Sequence, residues 1–427
     1  GWTITIGSSE KEFPSSIIEA DSFVILIKED VIDSFPNNIS KIGLTSISLT
    51  NAGSNIVLRN NLGQVINSIS YTDRWYNDEN KSDGGWSIER VSPSLFCEGK
   101  NNWRAAIDNG GGTPGRENSV FGGGVNVSPF RITKAFVVNS NTVRVEFNKT
   151  ISPLILQDSS FFIIDSSIAY LSSPLEPFFN SVDLTFSFAF LPNTTYTIST
   201  LGLSDCSSNL VSNTISFGLP DSALANQIII NEVLFNPNND GVDYIELFNN
   251  SDSYFDLSQL RIANFFTFGQ EIYADNPKII SEDIILFSPK SYLVITSDSS
   301  KVKNHYYCQN PYSFIEISSM PSLPNESGTI CVAHKSLNQI VDAFEYTENM
   351  HFSLLETTKG ISLERLNANA KTQSADNWHS AASTVGFGTP SYKNSQDFIH
   401  QSIGEVSIEP SSFSPNNDGH KDVEVYW

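Results

Sequence analysis

Residues 182–190 read Val-Asp-Leu-Thr-Phe-Ser-Phe-Ala-Phe, with large apolar side chains at every second position. A period of two puts Val182, Leu184, Phe186, Phe188 and Phe190 on one face and Asp183, Thr185 and Ser187 on the other. That is the pattern of a strand with one buried side. "TVRVEF" repeats it with Val143, Val145 and Phe147. About seven such runs between residues 125 and 219 predict a small β-sandwich. The other apolar runs, among them "SFVILI" at 22–27 and "SYLVIT" at 291–296, are also short. Clusters of Ser, Asn, Gly and Pro separate them, as expected of an all-β chain.

Two of these runs are nearly the same. "GGWSIERVSP" at 84–93 is answered by "KGISLERLNA" at 359–368, an offset of 275 residues. Tyr71-Thr72 finds Tyr346-Thr347, and Asn102-Trp103 finds Asn377-Trp378, at the same offset. Gly112-Thr113-Pro114 finds Gly388-Thr389-Pro390 one residue later, as a single loop insertion would produce. The chain therefore carries one module twice. The pattern predicts four segments: the first copy at 1–121, a different sandwich at 122–220, the second copy at 221–395, and the start of a further unit at 396–427. The joints "FGGGVNVSP" and "GLPDSALANQ" are rich in turn residues. The second copy opens with "NEVLFNPNNDGVDYIELFNNS", which has no counterpart in the first. The simplest expectation is that the first two strands of copy one belong to sequence upstream of Gly1.

Those opening strands, the "SLER" strand and the "NW…GTP…NS" ending resemble the bacterial branch of the lamin tail domain. The likeness covers 228–395 and, less its beginning, 1–121. Segment 122–220, with "NTVRVEF" and "LPNTTYTISTLGLSDCSSN", is similar to the immunoglobulin-like domains of bacterial surface-layer proteins, although Ser208 stands where a glycine is usual. "SIEPSSFSPNNDGHKDVEVYW" resembles the first strand of the immunoglobulin-like domains that close many proteins exported by type IX secretion. The resemblance implies tandem immunoglobulin-like β-sandwiches in a secreted or cell-surface protein.

Composition narrows the partners. The net charge of −22 is spread over every segment, about −5 for 1–121 and −10 for 221–395. No basic cluster gathers the Lys and Arg that neutralise phosphates, so nucleic acid is not an expected partner. No apolar run approaches the ~18 residues of a membrane-spanning helix. Cys97, Cys206, Cys308 and Cys331 show no metal-ligand spacing. Only Cys308 and Cys331 fall in one predicted domain. Either they form a disulfide, or both are free buried thiols.

Candidate chemistry is sparse. All six histidines lie at 305 or later. His351 and His379 face Tyr76 and Arg104 in the other copy, so the module does not need imidazole there. With no nucleophile elbow, phosphate loop or zinc motif, the expectation is no enzyme activity. Two Asn-Asp-Gly turns carry alternate oxygen ligands of the kind that wrap Ca²⁺. They are Asn236, Asn238 and Asp240, where a plain turn is the fuller reading, and Asn416, Asp418 and Asp422, the candidate calcium ligands. Trp103 and Trp378 share one position and are expected in the core. Trp75-Tyr76, replaced by Met350-His351 in the second copy, is a candidate contact for carbohydrate or another partner.

The repeated strand makes a further demand. Ile361, Leu363 and Arg365 share a face, as do Trp86, Ile88 and Arg90. If the apolar members face the core, a guanidinium is buried with them and requires a carboxylate or several carbonyls. Glu246 is the expected partner of Arg365, Glu232 the second candidate, and Arg90 should lack that partner. Together these readings predict non-catalytic modules for spacing, adhesion or interaction, with an extracellular protein or glycan as partner. The alternatives are the accessory region of an exported nuclease or phosphoesterase, and a carbohydrate-binding module.

Overall fold

The computed structural model describes residues 1–396, apart from Asn77 and Asn338, together with the backbone of two short strands, Ile408–Glu409 and Glu424–Val425. Asn416, Asp418 and Asp422 lie outside the described residues. Helices are few and short; strands carry the structure. The chain divides into two compact units. One holds residues 1–221 with the short segments 253–256 and 284–288; the other holds 222–252, 257–283 and the chain from 289 onward.

Within the first unit, residues 130–217 form a sandwich of two four-stranded sheets. Val143, Val145, Val182, Leu184, Ile198 and Phe217 meet between the sheets and are almost completely buried. The strand predicted over 182–190 is shorter, Ser181–Thr185. The Phe186 amide donates to the Asn141 carbonyl and the Phe190 amide to the Ser140 carbonyl, which draws the chain out of the ladder. Phe186, Phe188 and Phe190 cluster instead with Tyr196, at ring separations of 5.0–6.2 Å. Alternation here reflects burial rather than strand pairing.

The second unit packs a six-stranded sheet on a four-stranded one. In the six-stranded sheet, Ile228–Leu234 and Tyr244–Asn249 run between Tyr292–Thr296 on one side and Leu363–Arg365 on the other. The first copy repeats this frame without those two strands. Its Ile25–Lys28 pairs with Lys41–Leu44, parallel like Tyr292–Thr296 with Phe314–Glu316. Its Ile88–Arg90 pairs with Trp103–Ala105 as Leu363–Arg365 does with Trp378–Ser380. The glycine before the repeated strand has positive φ in both copies, 78° at Gly85 and 72° at Gly360. Only glycine takes that turn without steric cost.

Of the two readings for Cys308 and Cys331 the free thiols hold, with Cys331 buried and Cys308 half-buried, but a different pair is bonded. Cys97 is bonded to Cys206 across 109 residues. Counting thiols within predicted domains missed a bond that ties the first-copy segment to the sandwich after it. Beside it, the fully buried Lys149 ammonium lies 2.6 Å from Glu98 Oε1 and 2.7 Å from Asp205 Oδ2. Burial alone would raise Asp205, but the bonds from Lys149, Asn209 and Ser207 outweigh it and hold this carboxyl below its ordinary value.

Candidate functional site

The repeated motif residues make the same bonds in both copies. Glu364 accepts from Thr389 Oγ1 and from Ser395 Oγ, both at 2.7 Å. Glu89 accepts from Thr113 Oγ1 at 2.5 Å and Ser119 Oγ at 2.6 Å. Asn377 caps the turn after the strand Leu363–Arg365 by accepting from the Asn367 amide at 2.8 Å, as Asn102 does after Ile88–Arg90 from the Ser92 amide. Asn394 donates to the Arg365 carbonyl at 2.8 Å, and Asn118 to the Arg90 carbonyl at 2.9 Å. The glutamate of "SLER", the threonine of "GTP" and the "NS" pair thus form one buried polar lock. Sequence reasoning missed Glu89 and Glu364, because it gave the strand a single buried face. All three residues Leu363–Arg365 are buried. The recurrence of Glu, Thr and Ser together was the available signal.

In the second unit the lock contains three carboxylates. Register places Glu364, Glu232 and Glu246 side by side on adjacent strands, and all three are fully buried. Glu232 accepts from Tyr244 Oη at 2.8 Å, Ser362 Oγ at 2.5 Å and the Thr389 amide at 2.8 Å. Glu246 accepts from Asn231 Nδ2 at 2.8 Å and the Ser391 amide at 2.6 Å. Burial and the neighbouring Glu364 push Glu232 up to about 7. Burial and the Glu232 charge raise Glu246 well above the usual carboxylate range. Thr389 Oγ1 lies 2.7 Å from Glu364 and 3.2 Å from Glu232. A hydroxyl has one proton to donate. A proton on Glu232, given to that hydroxyl, satisfies both contacts. Glu89, without such neighbours, is different: the bonds from Ser119 and Thr113 outweigh its burial and hold it below its ordinary value.

The clasp between Glu246 and Arg365 is not formed. Glu364 and Glu246 share a row, and adjacent residues of a strand point to opposite faces, so Arg365 points away from both glutamates. It is buried, 2% exposed. Its Nη1 lies 3.4 Å from Asp342 Oδ2 and 3.1 Å from the Ile230 carbonyl, and its Nη2 donates to the Ala370 carbonyl at 2.7 Å. Asp342, on the strand Ile340–Thr347 of the four-stranded sheet, is its carboxylate. At the matching position the first copy has Asn67. Arg90 lies over the Trp103 ring at 4.9 Å, and its buried Nε has no hydrogen-bond partner.

The other candidates divide. Asn236 donates to Thr358 Oγ1 and accepts from Asn325, and the Asn238 carbonyl closes a turn to Gly241. This loop is held by protein groups. His351 is buried, its Nδ1 against Ser380 Oγ at 2.9 Å, and burial lowers it to about 4. Trp378 stacks on Phe344 with ring centroids 3.8 Å apart. Cys97, Glu98 and Asp205 cluster closely enough for a metal, but Cys97 is in the disulfide and Lys149 supplies the positive charge.

Trp75 and Tyr76 line a cavity of about 860 Å³ in the first unit. A short 3-10 turn, Asp73–Tyr76, presents them beside the strand Trp103–Ala105. Tyr76 is anchored, its hydroxyl donating to the Trp86 carbonyl at 2.8 Å. Trp75 is half-buried, its ring 6.1 Å from that of Trp103. Arg74, Lys81, Lys100 and Arg104 also line the space. Lys81 donates to the Ala106 carbonyl at 2.7 Å and lies 4.3 Å from the centre of the Trp86 ring.

These features define an all-β protein of packed β-sheets, with a polar lock that occurs twice. No protein-family model matches the sequence, and no curated protein does. Among solved structures, the N-terminal part of the bacterial surface-layer protein SbsC is similar at 14% identity, over 52% of this chain and 44% of that one, with a TM-score of 0.20. A DUF4876 family protein from Bacteroides thetaiotaomicron is 12% identical over 51% of this chain and 90% of its own, with a TM-score of 0.24. SGBP-B of a Bacteroides ovatus mixed-linkage glucan utilization locus is 11% identical over 80% of this chain and 55% of its own, with a TM-score of 0.18. Among the described residues no helix is long and apolar enough to cross a membrane.

Proposed function

We propose that the chain is a non-catalytic, exported surface protein whose sandwiches serve as spacer and interaction modules, two of them lamin-tail-like. The observation that carries this reading is how its polar groups are used. The carboxylates and amides that recur between copies are consumed in buried structural bonds. Arg74, Trp75, Lys81, Lys100 and Arg104, each replaced by another residue in the second copy, line the Trp75 cavity. Buried side chains spent on each other support architecture, whereas partly exposed aromatic and charged side chains in a cleft support recognition. Export is supported by the Cys97–Cys206 disulfide, because such bonds persist in oxidising compartments. The contact surface is the Trp75 cavity, and its partner is an extracellular glycan or protein. The test is binding of the full chain to an array of extracellular polysaccharides and matrix proteins, beside Trp75→Ala. Retention that disappears in the variant, with a melting curve showing it folded, is the expected result. Equal retention of both proteins on every spot would overturn the assignment of the surface.

A further inference from the structure

We infer that the Trp75 cavity takes an acidic oligosaccharide, carrying carboxylate or sulfate groups. This deepens the proposed contact surface and rests on it. The chain is strongly acidic, yet among the described residues four cations line this cavity, with Asp78 as the carboxylate beside them. Asp78 is already engaged, capping the short helix Glu79–Ser82 through the Asn80 amide at 3.0 Å.

The second copy supplies the internal control. At the offset of 275, Arg74, Lys81, Lys100 and Arg104 become Asn349, Glu356, Ala375 and His379. The same frame therefore folds without any of the four cations, and one position carries the opposite charge. Trp103 keeps its counterpart in Trp378, so it belongs to the frame, while Trp75 gives way to Met350. What the first copy adds to the frame is an indole and four cationic side chains.

That combination selects a ligand class. A pyranose ring offers an apolar face that an indole covers, as aromatic side chains do at amphipathic contacts. Anionic substituents reward Arg and Lys with charge-assisted bonds, which a neutral sugar cannot supply. Arg74 and Lys100 are exposed, and Arg104 gives one N–H to the Gly124 carbonyl at 2.5 Å while a guanidinium has five. About 860 Å³ lies within the ~300–1,000 Å³ of ligand pockets.

The experiment is isothermal titration of the full chain with four probes of matched length: a chondroitin sulfate hexasaccharide, a hexagalacturonate, cellohexaose and a single-stranded DNA oligonucleotide. The variants are Trp75→Ala, Arg74→Asn and Lys100→Ala, the last two installing second-copy residues at exposed positions; melting curves check that each is folded. At least one acidic hexasaccharide should bind, and about tenfold more weakly for each cation removed. Added salt should weaken it further, Trp75→Ala should abolish it, and cellohexaose should bind at least about tenfold less well. Cellohexaose bound as tightly as the acidic probes, but lost in Trp75→Ala, would overturn the acidic class and leave the contact surface standing. Tighter binding of the oligonucleotide would overturn the glycan class. Acidic binding that survives all three variants would overturn both the inference and the surface on which it rests. Failure of both acidic probes would overturn the inference alone, provided the array still shows retention that depends on Trp75.

Discussion

Glu232→Gln isolates the charge state of the three-carboxylate row. The neutral side chain keeps an oxygen to accept from Tyr244, Ser362 and the Thr389 amide, and its NH₂ can donate to Thr389 Oγ1. It therefore imitates the protonated acid that the geometry calls for. Glu232 titrates near 7 in the fold, against an ordinary value of 4.5. Between those values the folded state holds a proton that the unfolded chain has released, so this group's contribution to stability falls as pH rises. At 1.36 kcal/mol per pKa unit the loss is about 3 kcal/mol, complete once pH exceeds the folded value. His351, lowered to about 4 by burial, acts with the opposite sign between about 4 and 6.5, so the total profile of the wild type does not isolate Glu232. The difference between wild type and Glu232→Gln cancels His351 and reports Glu232 together with the part of the Glu246 shift that the Glu232 charge causes, which has the same sign. Hydrogen-exchange mass spectrometry of the strands Ile228–Leu234 and Tyr244–Asn249, corrected for intrinsic rates, is the assay. Relative to wild type, the variant should gain about 3 kcal/mol of opening free energy between pH 4.5 and 8, roughly a hundredfold in protection. Parallel profiles, or a variant that loses ground as pH rises, would refute a protonated Glu232.

Asp342→Asn removes the carboxylate beside Arg365 and leaves a buried guanidinium with carbonyls alone; it should destabilise the second unit by about 3–5 kcal/mol, read by the same exchange measurement. No loss would mean that the carbonyls of Ile230 and Ala370 suffice. Cys97→Ser, or reduction of the disulfide, should cost the first unit up to about 4–5 kcal/mol, the chain-entropy figure for so long a loop. Proteolysis should then cut first near residues 122–128; an unaltered cleavage rate would show that Lys149 with Glu98 and Asp205 holds the joint without the covalent bond.

Much of the architecture was legible because burial writes alternation into short strands. Val143, Val145, Val182 and Leu184 are buried as their spacing implies. The repeat was legible because one lock demands the same Glu, Asn, Thr and Ser at the same spacing. What failed required knowledge of which strands are neighbours. Glu246 is mid-strand and acidic, but it lies in the row of Glu364, and Arg365, one residue on, faces the other way. The disulfide failed for a related reason, since Cys97 and Cys206 meet only through the fold. Asp342 in place of Asn67 was visible as a difference between copies, but its meaning depends on where Arg365 points. The Trp75 cavity was half legible: the aromatic pair stood out as specific to one copy, while the surrounding cations come from separated parts of the chain.

The central claim is that one frame is built twice by a buried lock, and that the first copy adds a recognition surface to it. The triple variant Arg74→Asn, Trp75→Met, Lys100→Ala tests this most directly, because it installs the second copy's residues in the first. Its denaturation midpoint and its retention on the extracellular array should be measured on the same preparation. The account predicts loss of retention with a destabilisation of no more than about 3 kcal/mol, most of it from the half-buried Trp75 beside Trp103. Retention equal to wild type, or collapse of the first unit, would contradict it.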